Sequence, residues 1–184
     1  MLQITVPEQE YYDEEQNCFI TKKSEVLTLE HSLISISRWE SRWHVPFLKE
    51  ARTKDQEKTK EQVIDYVRCM SINKPKDLDI YNRLSSKNLD DVNDYINDSH
   101  TATWFRDEKK SPNREQVTSE LIYYWMISMQ IPFECQKWHL NRLLTLIRIC
   151  SIKNQPKKKM SRQEILAQNR ALNEARRKQL GTKG

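Results

Sequence analysis

Residues 1–180 contain no glycine; the only two in the chain are Gly181 and Gly184. Any turn before that point that needs left-handed backbone must therefore be made by a residue that enters this region at a steric cost. All-β sandwiches and barrels, which turn often through such positions, are disfavoured. Glycine-rich phosphate loops are excluded outright. Helices need no glycine, so the expected fold class is mostly α. Hydrophobic residues make up 37% of the 184 positions, leaner than the globular average, but five Trp and seven Tyr add enough apolar surface for one core.

The local patterns divide the chain. Leu2, Ile4 and Val6 alternate with Gln3 and Thr5, the period of a half-buried strand, and Pro7 ends the run. Tyr11-Tyr12 precede a turn-forming cluster, Asp13 to Asn17, and Cys18-Phe19-Ile20 and Val26 to Leu29 supply short strands. A small antiparallel hairpin or three-stranded sheet is expected over residues 1–29. From Leu29 onward the period changes: Leu29, Leu33, Ile36, Trp39 and Trp43 share one helical face, and Pro46 stops that helix. The polar stretch 49–62 reads as a loop running into a helix striped by Val63, Ile64, Val67 and Met70, with Tyr66 beside it. Short helices are expected at 77–84 and 88–97, the second capped by Ser85 or Ser86. An irregular segment, 99–114, follows, anchored by Trp104-Phe105 and turning at Ser111-Pro112-Asn113. Thr118-Ser119-Glu120 then open the most hydrophobic helix. Pro132 interrupts it and starts a long amphipathic helix from Phe133 to Ile152, and the pair is expected as a helical hairpin at the centre of the core.

Charge is unevenly spread. Residues 153–184 carry a net +8 and leave residues 1–152 at −3. Residues 1–152 thus read as an α-rich domain, with a β-hairpin in 1–29 and helices in 30–152. Residues 153–184 read as a basic linker and tail. Ser161 and Glu164 match a capping box, and 162–180 are rich in helix formers, but the apolar stripe (Ile165, Leu166, Leu172, Leu180) is thin. A helix of that kind is marginal alone and should stay loosely held until a partner binds it. Three readings stand for the tail: a solubilising extension, a nucleic-acid clamp, or a docking arm. It has no aromatic residue for base stacking and the body is acidic, so regular Leu/Ala spacing and the cap favour the docking arm.

Four scattered cysteines without a CxxC pair read as reduced thiols packed as small hydrophobes. No signal peptide or membrane-length apolar run is recognised, and a soluble protein is expected. His31, His44, His100 and His139 lie far apart. Cys135 and His139 are four apart, on one face of the expected helix, yet no second pair completes a zinc set. A buried thiol and a partly exposed imidazole are the favoured reading there. Paired acids such as Glu14-Glu15 and Asp90-Asp91 sit in polar segments as solvated charge. No catalytic residue, metal or cofactor is expected. Trp39 and Trp43, one turn apart and flanked by Arg38 and Arg42, either pack beneath the N-terminal sheet or present an aromatic partner-binding face.

Beyond periodicity, several blocks resemble a family of bacteriophage proteins. They are Leu29 to Trp43 closed by Pro46-Phe47-Leu48, Asp65 to Met70, Thr101-Ala102-Thr103, Pro132 to Leu143, and Asn173 to Gly181. Together they span nearly the whole chain. The family resembled is that of tail assembly chaperones of long-tailed phages. The resemblance implies a non-catalytic protein of the host cell cytoplasm. It would bind the long, helical tape measure protein and the tail tube protein during tail morphogenesis, with self-association between copies. The alternative is a structural head–tail connector or DNA-associated protein acting through the basic tail. Candidate partner-binding residues are Arg38, Trp39, Arg42 and Trp43 on the first helix. In the tail they are Lys157, Lys158, Lys159, Arg162, Leu172, Arg176 and Arg177.

Overall fold

A computed structural model of the chain describes residues 1–14, 17–49, 57–105, 116–155 and 162–181, apart from the side chain of 164. It is mostly helical, with antiparallel β-structure at the N-terminus. The chain falls into two units, Met1–Ser151 and Ile152–Gly184.

The first unit opens with four strands: β1 (Leu2–Val6), β2 (Gln9–Asp13), β3 (Cys18–Lys22) and β4 (Glu25–Leu29). β1 pairs antiparallel with β4, and β2 with β3. The two ladders are in one phase, since Val6 faces Glu25 and Gln9 faces Lys22. They are therefore the proximal and distal halves of a single hairpin, broken where Pro7 lacks a donor and Lys23-Ser24 lie opposite. A hairpin was among the expected forms for residues 1–29. Tyr11 and Tyr12 lie in β2, and Asp13 belongs to that strand rather than to the turn, held there by the cross-strand Tyr12–Phe19 ring pair at 5.1 Å. Arg83 Nη1 reaches the carbonyls of Pro7 and Lys22 at 3.4 and 3.3 Å, and Lys22 Nζ pairs with Asp77 and Asp79 at 3.0 and 2.6 Å, closing the break.

Ile4, Val6, Leu27 and Leu29 of the proximal half are buried. Leu29, placed by pattern both at the end of the hairpin and at the start of the first helix, ends β4: α1 spans Leu33–Trp43 and starts at the capping box of Ser32 and Ser35. Strand alternation and helical spacing both fit Leu29, and the extended backbone of the cap decides for the strand. α1 buries Leu33, Ile36 and Trp39 and packs on α2 (Lys60–Met70), which is capped by Thr59 with Gln62. The buried face of α2 is Tyr66, Val67, Cys69 and Met70; Val63, expected in the stripe, is exposed.

Leu78–Arg83 form a 3₁₀ helix where a helix was expected at 77–84, and α3 (Ser86–Asn97) is capped by Ser85 with Asn88. Trp104 is 78% exposed and anchors nothing, whereas Phe105 is half-buried beneath the Arg148 guanidinium. The turn expected at Ser111-Pro112-Asn113 lies outside the described residues. α4 (Ser119–Ser128), capped by Thr118, packs on α1 rather than forming the expected helical hairpin with the helix that follows it. The continuous helix expected from Phe133 to Ile152 is also corrected. Phe133–Lys137 are a 3₁₀ helix, Trp138 is extended, and α5 runs Leu140–Asn154. The interruption has a cause: His139 bridges to Ser32, and Leu140 N–H donates to the His31 carbonyl at 2.8 Å.

Glu40 on α1 is the one buried carboxylate of the described core. Its two oxygens accept from the N–H groups of Phe47 (2.7 Å) and Ser119 (2.8 Å), tying α1 to the chain beyond its own C-terminus and to the start of α4. Left-handed backbone is adopted by Asn17, His44, His100 and Gln130, all without glycine; His44 (φ 55) caps α1. The second unit contains α6 (Arg162–Leu180), followed by Gly181 at φ 64. The expected Ser161–Glu164 cap lies outside the described residues.

Two measurements check this packing. Leu33→Ala should lower unfolding free energy by about 2–5 kcal/mol in urea titrations, because its side chain is wholly enclosed, whereas Val63→Ala should cost less than about 1 kcal/mol. His44→Gly, which removes a Cβ from an exposed left-handed cap, should stabilise by about 0.5–1 kcal/mol in the same assay.

Candidate interaction surfaces

Where α1 and α2 run together, Arg38, Ser41 and Arg42 face Arg68 and Cys69 across an open cleft of about 450 Å³. Arg38 and Arg42 are four apart on α1 and so point the same way; Arg68 comes from the last turn of α2. Arg42 pairs with Asp65, whose other oxygen accepts the Trp43 indole N–H at 2.9 Å. Arg38 and Arg68 are exposed and make no ion pair among the described residues. The cleft is thus lined by three guanidinium groups, two of them without an ion pair among the described residues, on a unit whose sequence is net acidic. Burial and then the Asp65 carboxylate push the Cys69 thiol up, so the floor of the cleft is a neutral thiol.

The two tryptophans separate. Trp39 is 1% exposed: its ring lies edge-on to Phe47 at 5.2 Å and its N–H donates to the Gln62 carbonyl at 2.9 Å. As a partner-contact residue it is therefore corrected to a core residue. Trp43, half-buried beside it, keeps an open edge. Of the first-helix candidates, Arg38 and Arg42 are on the surface together, Trp43 is at its margin and Trp39 lies beneath.

In the second unit every described side chain of α6 is exposed. Its apolar members are Ile165, Leu166, Leu172 and Leu180, and at 3.6 residues per turn they fall within an arc of about 120°. Arg162, Arg176 and Arg177 stand among or beside them. The Lys178–Glu174 pair, 3.8 Å apart and solvated on both sides, adds little. Lys157, Lys158 and Lys159 lie outside the described residues.

The scattered histidines hid a cluster. His31, His139 and His100 lie ring to ring (5.0 and 4.1 Å), with Tyr95 against the last two and Tyr66 hydrogen-bonded to His31 Nδ1. His31 and His139 are buried. His139 Nε2 meets the Tyr95 carbonyl at 3.1 Å, and the Tyr95 hydroxyl donates to Glu30 at 2.7 Å. His139 had been read as partly exposed and in one helix with Cys135; it is neither. No group of three or more His, Cys, Asp or Glu side chains among the described residues, this cluster included, is placed so as to hold a metal ion. Burial holds both imidazoles below their ordinary range, and His31 is lowered to about 3, with the neighbouring histidines adding to the effect. His31 and His139 are thus buried, neutral packing groups at pH 7, while His100 lies exposed at the edge of the cluster, 3.6 Å from Asp98.

Arg68 and the histidine cluster were missed because only tertiary contact assembles them; no spacing along the chain links residues so far apart. No family model, no curated protein and no solved structure matches the chain. No helix among the described residues is long and apolar enough to cross a membrane.

His31 predicts a pH dependence. Its unfolded value is about 6.5 and its folded value about 3, so between these limits the unfolded chain binds the extra proton. The stabilisation is fully present above about pH 6.5 and is lost as pH falls. Between pH 7 and 5 this residue should cost about 2 kcal/mol of stability. His31→Gln, which can still bond Tyr66, should flatten the urea-measured slope by up to about one proton. An unchanged slope would show that His31 titrates normally.

Proposed function

We propose that the chain is a tail assembly chaperone of a long-tailed bacteriophage, binding the tape measure protein and tail tube subunits non-catalytically during tail morphogenesis in the host cytoplasm. The observation that carries this reading is α6: a helix of 19 residues, cationic, with four large apolar side chains all exposed. A helix of that kind is stabilised mainly by packing its apolar face, and here the face is open to a partner. Block resemblance along the chain supplies the partner class. A tape measure protein is long and helical, and its apolar stripes need covering until the tube encloses them. Many weak contacts suit that task, since each must yield to an incoming tube subunit.

The alternative, a head–tail connector or DNA-associated protein, would draw on the same cationic charge. Against it stand the lack of any aromatic side chain after residue 152 and the acidic balance of residues 1–152. Pull-down of tape measure fragments with the full chain tests the proposal. Ile165→Ser/Leu172→Ser should reduce capture about tenfold or more, while the circular-dichroism melt of the first unit stays unchanged. Capture that survives the double substitution, or DNA binding that weakens steeply with salt, would favour the other reading.

A further inference from the structure

The distal half of the hairpin is the least explained part of the first unit. Tyr11, Tyr12 and Phe19 are 41%, 46% and 69% exposed, and no residue of β2 or β3 is fully buried. A two-stranded ribbon with nothing on either face is marginal in water. Its two faces differ. Tyr11 and Ile20 lie opposite one another on the face beside Lys22, whose ammonium sits over Tyr11 at 5.4 Å and pairs with Asp77 and Asp79. The other face carries Glu10, Tyr12 and Phe19, with Glu14 at the turn.

This ribbon is strongly acidic. Between Glu8 and Thr21 there are five carboxylates and no Lys or Arg. The same folded unit holds the arginine cleft between α1 and α2. One chain thus carries an acidic, aromatic ribbon and an open site with two guanidinium groups that make no ion pair among the described residues. Arginine forks suit carboxylates bidentately, and the rings of Tyr12 and Phe19 supply apolar contact beside them. The cleft is lined by α1 and α2 and by no residue of β2 or β3, so the ribbon it fits is that of a neighbour.

We propose that the ribbon face formed by Glu10, Tyr12, Glu14 and Phe19 of one copy docks into the Arg38–Arg42–Arg68 cleft of a second copy. The contact is head-to-tail, so each copy retains a free ribbon or a free cleft for the next. Such association closes into a ring or extends as a filament. It gives a surface and a polarity to the self-association that the chaperone reading expects, but it uses neither α6 nor any phage component, so its failure would leave that reading standing.

Sedimentation velocity on the full chain tests it through charge reversal. The wild-type chain should associate with rising concentration at low salt and dissociate at high salt. Arg38→Glu/Arg68→Glu and Glu10→Lys/Glu14→Lys alter exposed positions, so both should keep the wild-type circular-dichroism spectrum. Each alone should weaken association about tenfold or more. Mixing the two should restore it, because each reversed surface then meets its opposite. A wild-type chain that stays monomeric overturns the proposal. So does association that survives either reversal, or a mixture that stays apart. Binding of a short oligonucleotide to the cleft of a monomeric chain would reassign the site to phosphate.

Discussion

The fold depends on one extended stretch, Val26 to Ser32, which is bonded to four distant parts of the chain. On one side it is the β4 partner of β1. On the other, Leu29 bridges Ser71, Ile72 N–H donates to the Thr28 carbonyl at 2.9 Å, and Asn73 bonds both Thr28 N–H (2.8 Å) and the Val26 carbonyl (2.9 Å). Further along, the His31 carbonyl accepts from Leu140 and the His31 ring meets Tyr66. A buried strand with an empty edge would leave its N–H and C=O groups without partners, which is costly. Here the end of α2 and the start of α5 fill that edge in place of another strand. Helices are drawn to the small sheet by this need.

α1 follows directly from this stretch and serves two ends at once. Its inward residues Leu33, Ile36 and Trp39 fill the core, and Glu40 satisfies two backbone donors that no other side chain reaches. Its outward residues Arg38 and Arg42 form one wall of the arginine cleft. Because the inner face is fixed by close packing, the guanidinium groups are presented from a rigid base. α6 differs: with its described side chains exposed, its apolar residues contribute little to a core of their own.

Much of the architecture was legible in local pattern. Alternation at Leu2, Ile4 and Val6, the spacing from Leu33 to Trp43, Ser85 as a cap and Thr118 at the head of α4 all follow from periodicity and end chemistry. The helical class followed from the missing glycines. What was hidden depended on contacts between distant residues. Leu29 satisfied two periods, and only the Ser32 cap chose between them. Trp138 and His139 sit in a helical pattern, yet pairing with Ser32 and the His31 carbonyl breaks the helix there. Val63 matches the α2 stripe, but the face that α1 covers is centred on Tyr66 and Val67. At the cleft, Arg38 and Arg42 were found as the neighbours of Trp39 and Trp43. Arg68 joins them only through the way α2 returns against α1. Trp39 shows the limit of composition: an indole beside two arginines suits an interface and a core equally well, and its N–H bond to Gln62 places it in the core.

Because both ladders of the hairpin share one phase, the ribbon behaves as an adjustable lever. Adding or removing two residues on each strand changes its length by roughly 7 Å and keeps every remaining side chain on its original face. The proximal half, sealed by Arg83 and Lys22, would not sense the change. Insertion or deletion could therefore lengthen or shorten that limb while the body beneath stays as it is, and under the proposed head-to-tail contact this alone would set the spacing between copies.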